Sequence, residues 1–315
     1  MNRQRRLEEV IVIVGPTCSG KTKLSLLLSE RLNAEIISAD SRQVFKLLSV
    51  GTAKPSADQL EKTKHHFISE LNPDSVFNAS MFAEKAVLII KILHSHKKIP
   101  IVVGGSGLYI KALIDGISES ADTDNELREE LLELRQKYGN DYLYNELKKI
   151  DKVSSEKMLP QNWKRVMRAL EVFRLTGKPI WQHHISQSHF ASFNFRQIGL
   201  MWDRKILYKN IETRVDSMLK EGLVDEVSSI IKLGYAKDSN SLNTVGYKEI
   251  IQYLDGEISI DRAIELIKRN TRRYAKRQMT WFNADKRIKW YDINSEIDLV
   301  NLADKIAKEI NERKN

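Results

Sequence analysis

Residues Gly15, Pro16, Thr17, Cys18, Ser19, Gly20, Lys21 and Thr22 satisfy the spacing G-x-x-x-x-G-K-[ST] at every fixed position. Glycines at both ends of such a loop let successive backbone N–H groups converge on one point. With the N-terminus of a following helix they form a site for an anionic phosphate. Lys21 adds a mobile positive charge, and the Thr22 hydroxyl suits Mg²⁺. The motif predicts binding of a phosphate or diphosphate without specifying which bond is broken.

Other residues bear on the same chemistry. Asp40 follows the apolar stretch Glu35-Ile36-Ile37-Ser38, which reads as a strand. A carboxylate just past a strand's C-terminal end lies on the ligand edge of a parallel sheet, although it also suits the cap of a short helix. Gly104-Gly105-Ser106-Gly107 follows a second strand, Ile99–Val103, and serves either ligand approach or tight strand-to-helix packing. Arg214 flanks an apolar helical stripe of Ile211, Val215, Met218 and Gly222. A guanidinium there needs an anionic partner, either a structural carboxylate or a bound phosphate. Lys164, Arg165 and Arg168 cluster on one helical segment. Arg262, Lys268, Arg269, Arg272, Arg273, Lys276 and Arg277 follow on another, with Tyr274, Trp281, Phe282 and Trp290 among or after them. Such a mixture modestly favours a nucleic-acid groove with stacking platforms over a surface helix whose Tyr274 and Trp281 face the core. The pair His65-His66 and the group His183, His184 and His189 lack metal-ligand spacing and are read as structural.

The elements that must position these groups are legible from periodicity. Val10–Val14 is an apolar, β-branched run, as a buried parallel strand requires. Lys21 to Leu32 reads as the helix after it. Helices are expected over about 79–94, 108–115, from Asp122-Thr123-Asp124 through Lys137, over 162–176 with a stop at Gly177-Lys178-Pro179, and over 206–233. A strand is expected over 197–202. The expected division is 1–116 as the first part of an α/β core, 117–195 as a helical insert, and 196–315 as the second part of the core. With 315 residues, 42% hydrophobic and 30% charged, the chain can bury a large core. No apolar stretch spans a bilayer, and the charged N-terminus lacks a secretory h-region. One cysteine, Cys18, excludes an internal disulfide framework and suits a reducing cytoplasm. A net charge of +9 suits a polyanionic partner.

Taken together these stretches resemble the tRNA dimethylallyltransferase (tRNA isopentenyltransferase) family over nearly the whole chain. The resemblance rests on the Gly15–Thr22 loop, Ser38-Ala39-Asp40-Ser41-Arg42-Gln43-Val44 and Gly51-Thr52-Ala53-Lys54-Pro55. It continues through Val103-Gly104-Gly105-Ser106-Gly107-Leu108-Tyr109 and Arg168-Ala169-Leu170-Glu171-Val172. Val245-Gly246-Tyr247-Lys248-Glu249 and Lys276-Arg277-Gln278-Met279-Thr280-Trp281-Phe282 complete it. Ser106 stands where the family commonly has Thr, and Cys18 where a small residue, often Ala, is usual.

The resemblance implies a P-loop NTPase-like α/β core with a parallel sheet, plus an inserted helical subdomain. It implies transfer of a dimethylallyl group from dimethylallyl diphosphate to N6 of the adenosine 3′-adjacent to the anticodon, in tRNAs reading codons that begin with U, with Mg²⁺ as cofactor. By resemblance Asp40 is the general base. Lys21, Thr22 and Arg214 act on the diphosphate, which Gly15–Thr22 bind. The implied tRNA contacts are Asp40, Ser41, Arg42 and Gln43, Ser106, Arg128, and the helix residues Lys164, Arg165, Val166, Met167 and Arg168. They extend to Asn243, Thr244, Val245, Gly246, Tyr247 and Lys248, and to Lys276, Arg277, Gln278, Met279, Thr280, Trp281, Phe282 and Asn283. A cytoplasmic monomer without membrane attachment is expected. The rival readings are a prenyltransferase acting on free adenylate, a P-loop small-molecule kinase, and an ATP-gated RNA-binding module.

Overall fold

A computed structural model describes residues 8–116, 124–185 and 193–314. The expected caps Asp122 and Thr123, the histidine His189 and the first seven residues lie outside them. In chain order the elements are β1 (Glu8–Val14), α1 (Lys21–Leu32), β2 (Glu35–Ser38), α2 (Ala57–Lys62), β3 (His65–His66), α3 (Ala79–Ser95), β4 (Pro100–Val103) and α4 (Gly107–Asp115). Next come α5 (Asn125–Ile150), α6 (Lys152–Ser155), α7 (Trp163–Thr176) and α8 (Ile180–Ile185). Then follow β5 (Phe193–Trp202), α9 (Arg204–Lys220), α10 (Leu223–Lys232), α11 (Tyr247–Leu254), α12 (Ile260–Asn283), β6 (Lys289–Ile293) and α13 (Glu296–Lys314). The chain divides into two compact units, 1–113 with 191–315, and 114–190.

The first unit is built on a six-stranded parallel sheet of order β3-β2-β4-β1-β5-β6. The strands of a parallel sheet covered on both faces should be apolar throughout, and Val10, Ile11, Val12, Ile13 and Val14 of β1 are all fully buried. Successive side chains point to opposite faces. Ile11 and Ile13 pack with Leu24 and Leu28 of α1 and with Leu299, Leu302, Ile306 and Ile310 of α13. Aromatic contacts join α3 to α4, where Phe82 stacks on Tyr109 with ring centroids 5.0 Å apart.

Parallel strands place their C-terminal ends on one edge, and the chemistry-bearing loops gather there. The backbone sews these loops together. Ala39 N donates to Val103 O (2.8 Å), Gly104 N to Ile13 O (3.2 Å) and Ser106 N to Ala39 O (3.3 Å). The approach is so close that a Cβ on Gly104 would lie 2.0 Å from the Ala39 carbonyl oxygen.

The helix expected over 206–233 is two helices. Gly222 adopts φ 93°, a left-handed conformation that ends the helical hand, and α10 starts anew with the buried Leu223. The helix expected to end at Lys137 continues to Ile150, interrupted at Gly139 (φ 85°, ψ 177°). Trp290, grouped in the sequence with the stacking aromatics, lies in β6 with its ring over Gly199, where a Cβ would meet it at 2.5 Å. The second unit has its own core, in which Leu131, Leu143 and Leu147 of α5 meet Val166, Ala169 and Leu170 of α7.

Candidate active site

The loop between β1 and α1 reaches a left-handed residue at its end. Gly20 has φ 84°, and a Cβ there would lie 2.6 Å from Leu299 Cδ1. The helix therefore begins at Lys21, as the motif requires. Lys21 Nζ donates to Pro16 O (2.6 Å), and Trp202 Nε1 at the end of β5 donates to Ser19 O (2.9 Å). Burial, with the Arg214 guanidinium nearby, pushes the Lys21 ammonium down to about 8 against the opposing pull of Cys18 and Asp40.

Arg214, on α9, donates through Nη1 to Thr17 Oγ1 (3.3 Å) and to Cys18 Sγ (3.5 Å). Among the described residues no carboxylate forms an ion pair with it. Of the two partners open from sequence, a structural carboxylate is thus excluded within those residues. The contrast lies on the same helix, where Glu212 pairs with Arg272 (2.7 Å) and Asp216 with Lys268 (2.6 Å).

Asp40 caps a turn and not the short helix that its sequence position also suited, since no helix follows before α2. Its Oδ1 accepts from Arg42 N (2.8 Å) and Gln43 N (3.3 Å), which fixes the turn after β2. Its carboxylate also lines a cavity shared with Thr17, Lys21, Thr22, Gln43, Gly104, Gly105, Arg214, Tyr274 and Gln278. Ser41 N donates to Ser106 Oγ (3.1 Å), so the serine hydroxyl braces the Asp40 turn. Gln43 Nε2 donates to Thr52 O (3.1 Å) and Ala53 O (3.3 Å), tying that turn to the Gly51–Pro55 loop.

A second, wider cavity is lined by Thr17, Asp40, Ser41, Arg42 and Arg214, and also by Asn243, Thr244, Val245, Gly246, Lys248 and Arg277. A third, on the outer side of the loop, is lined by Cys18 to Thr22, Asn210, Thr213 and Arg214. The structure thus brings together the phosphate loop, Asp40–Gln43, Arg214, the 243–248 turn, Arg277 and Gln278.

Other expected contact residues are placed differently. The side chains of Val166, Tyr247 and Phe282 are buried, at 0%, 0% and 2% exposure, and serve the core, so none of them presents a surface to a nucleic acid. Arg128 and Arg168 both grip the buried Glu171, Arg128 Nε at 2.8 Å and Arg168 Nη1 at 2.6 Å. Met167 packs against the α5–α7 core. Lys164 and Arg165 are exposed on α7, and Lys276, Thr280 and Asn283 on α12; Trp281 is partly exposed with its ring against Gly107, while Met279 is half-buried.

Sequence reasoning missed Glu226. Its carboxylate accepts from Ser49 N (2.8 Å), Val50 N (2.7 Å), Gly51 N (3.1 Å) and the Tyr247 hydroxyl (2.6 Å), and so anchors the loop that lines the wider cavity. Burial and that carboxylate raise the Tyr247 hydroxyl far above its ordinary value. No spacing rule pointed to Glu226, because three of its four partners are backbone groups more than 170 residues away.

The donor set fits Mg²⁺ in the manner of phosphate-loop sites. Among the described residues no cluster of three or more His, Cys, Asp or Glu side chains could cage a metal. Mg²⁺ commonly takes few protein ligands and completes its octahedron with water and substrate phosphates, and the Thr22 hydroxyl on the cavity wall suits that role.

The comparisons with known proteins converge. The family model described as IPP transferase matches residues 43–285. A tRNA dimethylallyltransferase of Acetivibrio thermocellus is 47% identical, covering 90% of this chain and 91% of its own. One from a Thermoanaerobacter species is 43% identical, covering 95% and 96%. The crystal structure of a full-length tRNA isopentenylpyrophosphate transferase from Bacillus halodurans superposes with a TM-score of 0.71 at 37% identity, covering 98% of each chain. A structure of a eukaryotic dimethylallyltransferase acting on tRNA gives 0.78 at 28% identity, covering 91% of this chain and 74% of that one.

Proposed function

The chain belongs to the IPP transferase family, the tRNA dimethylallyltransferases, and on that premise we propose that it prenylates the adenosine 3′-adjacent to the anticodon in tRNAs reading codons that begin with U. It is a transferase with the P-loop NTPase-like fold of its structural neighbours, and tRNA is its substrate. The observation that carries the finer reading is the shared cavity. Lys21, Thr22, Asp40 and Arg214 line it together, and among the described residues no carboxylate pairs with Arg214.

The reaction breaks the allylic C–O bond of dimethylallyl diphosphate and forms a C–N bond to N6. Negative charge grows on the departing diphosphate as the carbon gains cationic character. The backbone donors of Gly15–Thr22, the Lys21 ammonium and the Arg214 guanidinium stabilise that charge where it develops. Thr22 would hold Mg²⁺, which would add to the neutralisation of the diphosphate. The adenine amine is a poor nucleophile until its proton departs. Asp40 Oδ1 is held by two backbone N–H groups, and Oδ2 is the atom that takes the proton as the bond forms. The target base leaves its stack to reach Asp40 through the cavity walled by Asn243–Gly246, Lys248 and Arg277. Lys164 and Arg165 of the helical segment, with Lys276 and Arg277 of α12, hold the RNA backbone.

The enzyme acts as a monomer in the cytoplasm. No helix among the described residues is long and apolar enough to cross a membrane. The assay is transfer of label from dimethylallyl diphosphate to an anticodon stem-loop transcript. Label enters the adenosine-bearing transcript in the presence of Mg²⁺. A transcript with guanosine at that position stays unlabelled; equal labelling of both contradicts the reading.

A further inference from the structure

Gln278 is the buried amide of a helix face that is otherwise apolar. The other buried positions of α12 are Ala263, Ile267, Ala275 and Phe282, and Gln278 is 6% exposed. An amide in that setting is costly unless both ends are bonded. Both are. Oε1 accepts from the backbone N–H of Thr17 (2.8 Å), and Nε2 donates to Gly105 O (3.0 Å). A Cβ on Gly105 would lie 2.2 Å from Nε2, so any larger residue at position 105 would displace the amide.

Each partner leads directly to reacting groups. Thr17 belongs to the phosphate loop, and its Oγ1 receives Arg214 Nη1 (3.3 Å). Gly105 precedes Ser106, whose Oγ receives Ser41 N (3.1 Å) in the turn that holds Asp40. One side chain, 261 residues from Thr17 in sequence, therefore closes a bonded path from the leaving-group site to the base.

We propose that Gln278 is a positioning residue that sets the diphosphate loop in register with the Asp40 turn, and that it makes no contact with tRNA. The inference rests on the prenyl-transfer reading above. It separates Gln278 from its exposed neighbours Lys276 and Arg277, which face solvent on the same helix.

The test uses the full chain with Gln278→Met, which keeps the volume and removes both bonds. Gln278→Asn keeps the amide but is one methylene too short to span both partners, and it decides the matter should the Met variant not fold. Binding of inorganic pyrophosphate with Mg²⁺, binding of an unmodified tRNA transcript, and steady-state kinetics are measured on each. The expected result is pyrophosphate affinity about tenfold weaker at unchanged stoichiometry, KM for dimethylallyl diphosphate raised in parallel, and kcat lowered about 10²-fold. Affinity for tRNA stays within about twofold. A purely structural role would lower the stoichiometry of both ligands without altering either affinity, and would overturn the proposal. So would tRNA affinity falling in step with pyrophosphate affinity, or pyrophosphate affinity unchanged in both variants. A wild-type protein that binds both ligands but transfers no prenyl group would instead sink the functional reading, and the pyrophosphate comparison would still stand.

Discussion

At the scale of single residues, Asp40 carries the sharpest assignment. One carboxylate oxygen, Oδ1, is used by the fold, in the turn to Arg42 N and Gln43 N, and the proposed base is the other. Asp40→Asn keeps an oxygen acceptor for the turn and removes the base. Turnover should then fall about 10²- to 10⁴-fold, with tRNA affinity nearly intact in a filter-binding measurement; loss of affinity in step with turnover would count against a proton-accepting role. Arg214 shows how far residue types alone carry. Its position beside an apolar stripe called for an anion, but only the structure shows that no described carboxylate answers. The phosphate loop was legible because its function needs fixed residue types at fixed spacing. Gln278 and Glu226 were not, because the partners described for Gln278 and most of those of Glu226 are main-chain atoms, which leave no trace in the sequence.

At the scale of elements, β1, α1, β2, α3 and β4 were readable from periodicity. β3 and β6 were not, since two residues at one edge and the half-exposed Lys289–Ile293 at the other carry little apolar signal. The basic helix α12 was visible as a composition, yet its cations are not equivalent. Arg272 is paired with Glu212, whereas Arg273 is exposed. Arg273→Ala should weaken tRNA binding and reduce the slope of log K against log salt by about 1. Arg272→Ala should change the slope less; identical slopes for Arg273→Ala and wild type would remove α12 from the interface. At the N-terminal edge of the sheet, burial would raise the Glu35 carboxyl. Hydrogen bonds from Lys98 (2.7 Å) and His66 (2.9 Å), with Lys64 nearby, instead hold it at about 2. Because the folded value lies below the unfolded one of about 4.5, Glu35 contributes stability above that pH, and the contribution is lost as pH falls toward 2. Urea midpoints of wild type and Glu35→Gln should therefore differ most near pH 6, narrow below about pH 4.5 and converge only near pH 2. A gap independent of pH would refute this account of the edge.

At the scale of the whole molecule, the first unit is completed by its last helix. Leu299, Leu302, Ile306 and Ile310 of α13 cover α1, and Leu299 also abuts Gly20, so the C-terminus of the chain supports the loop at its beginning. The sheet is closed by chain segments on both sides of the helical unit, which makes the phosphate loop and the basic helix parts of one unit. A free nucleotide needs neither a long helical segment nor a basic α12, whereas a tRNA substrate has use for both. The most direct measurement incubates the protein with Mg²⁺, labelled dimethylallyl diphosphate and either unmodified tRNA or AMP, then identifies product nucleosides by mass. N6-prenyl adenosine is expected from tRNA and none from AMP. Prenylated AMP with unlabelled tRNA would contradict it.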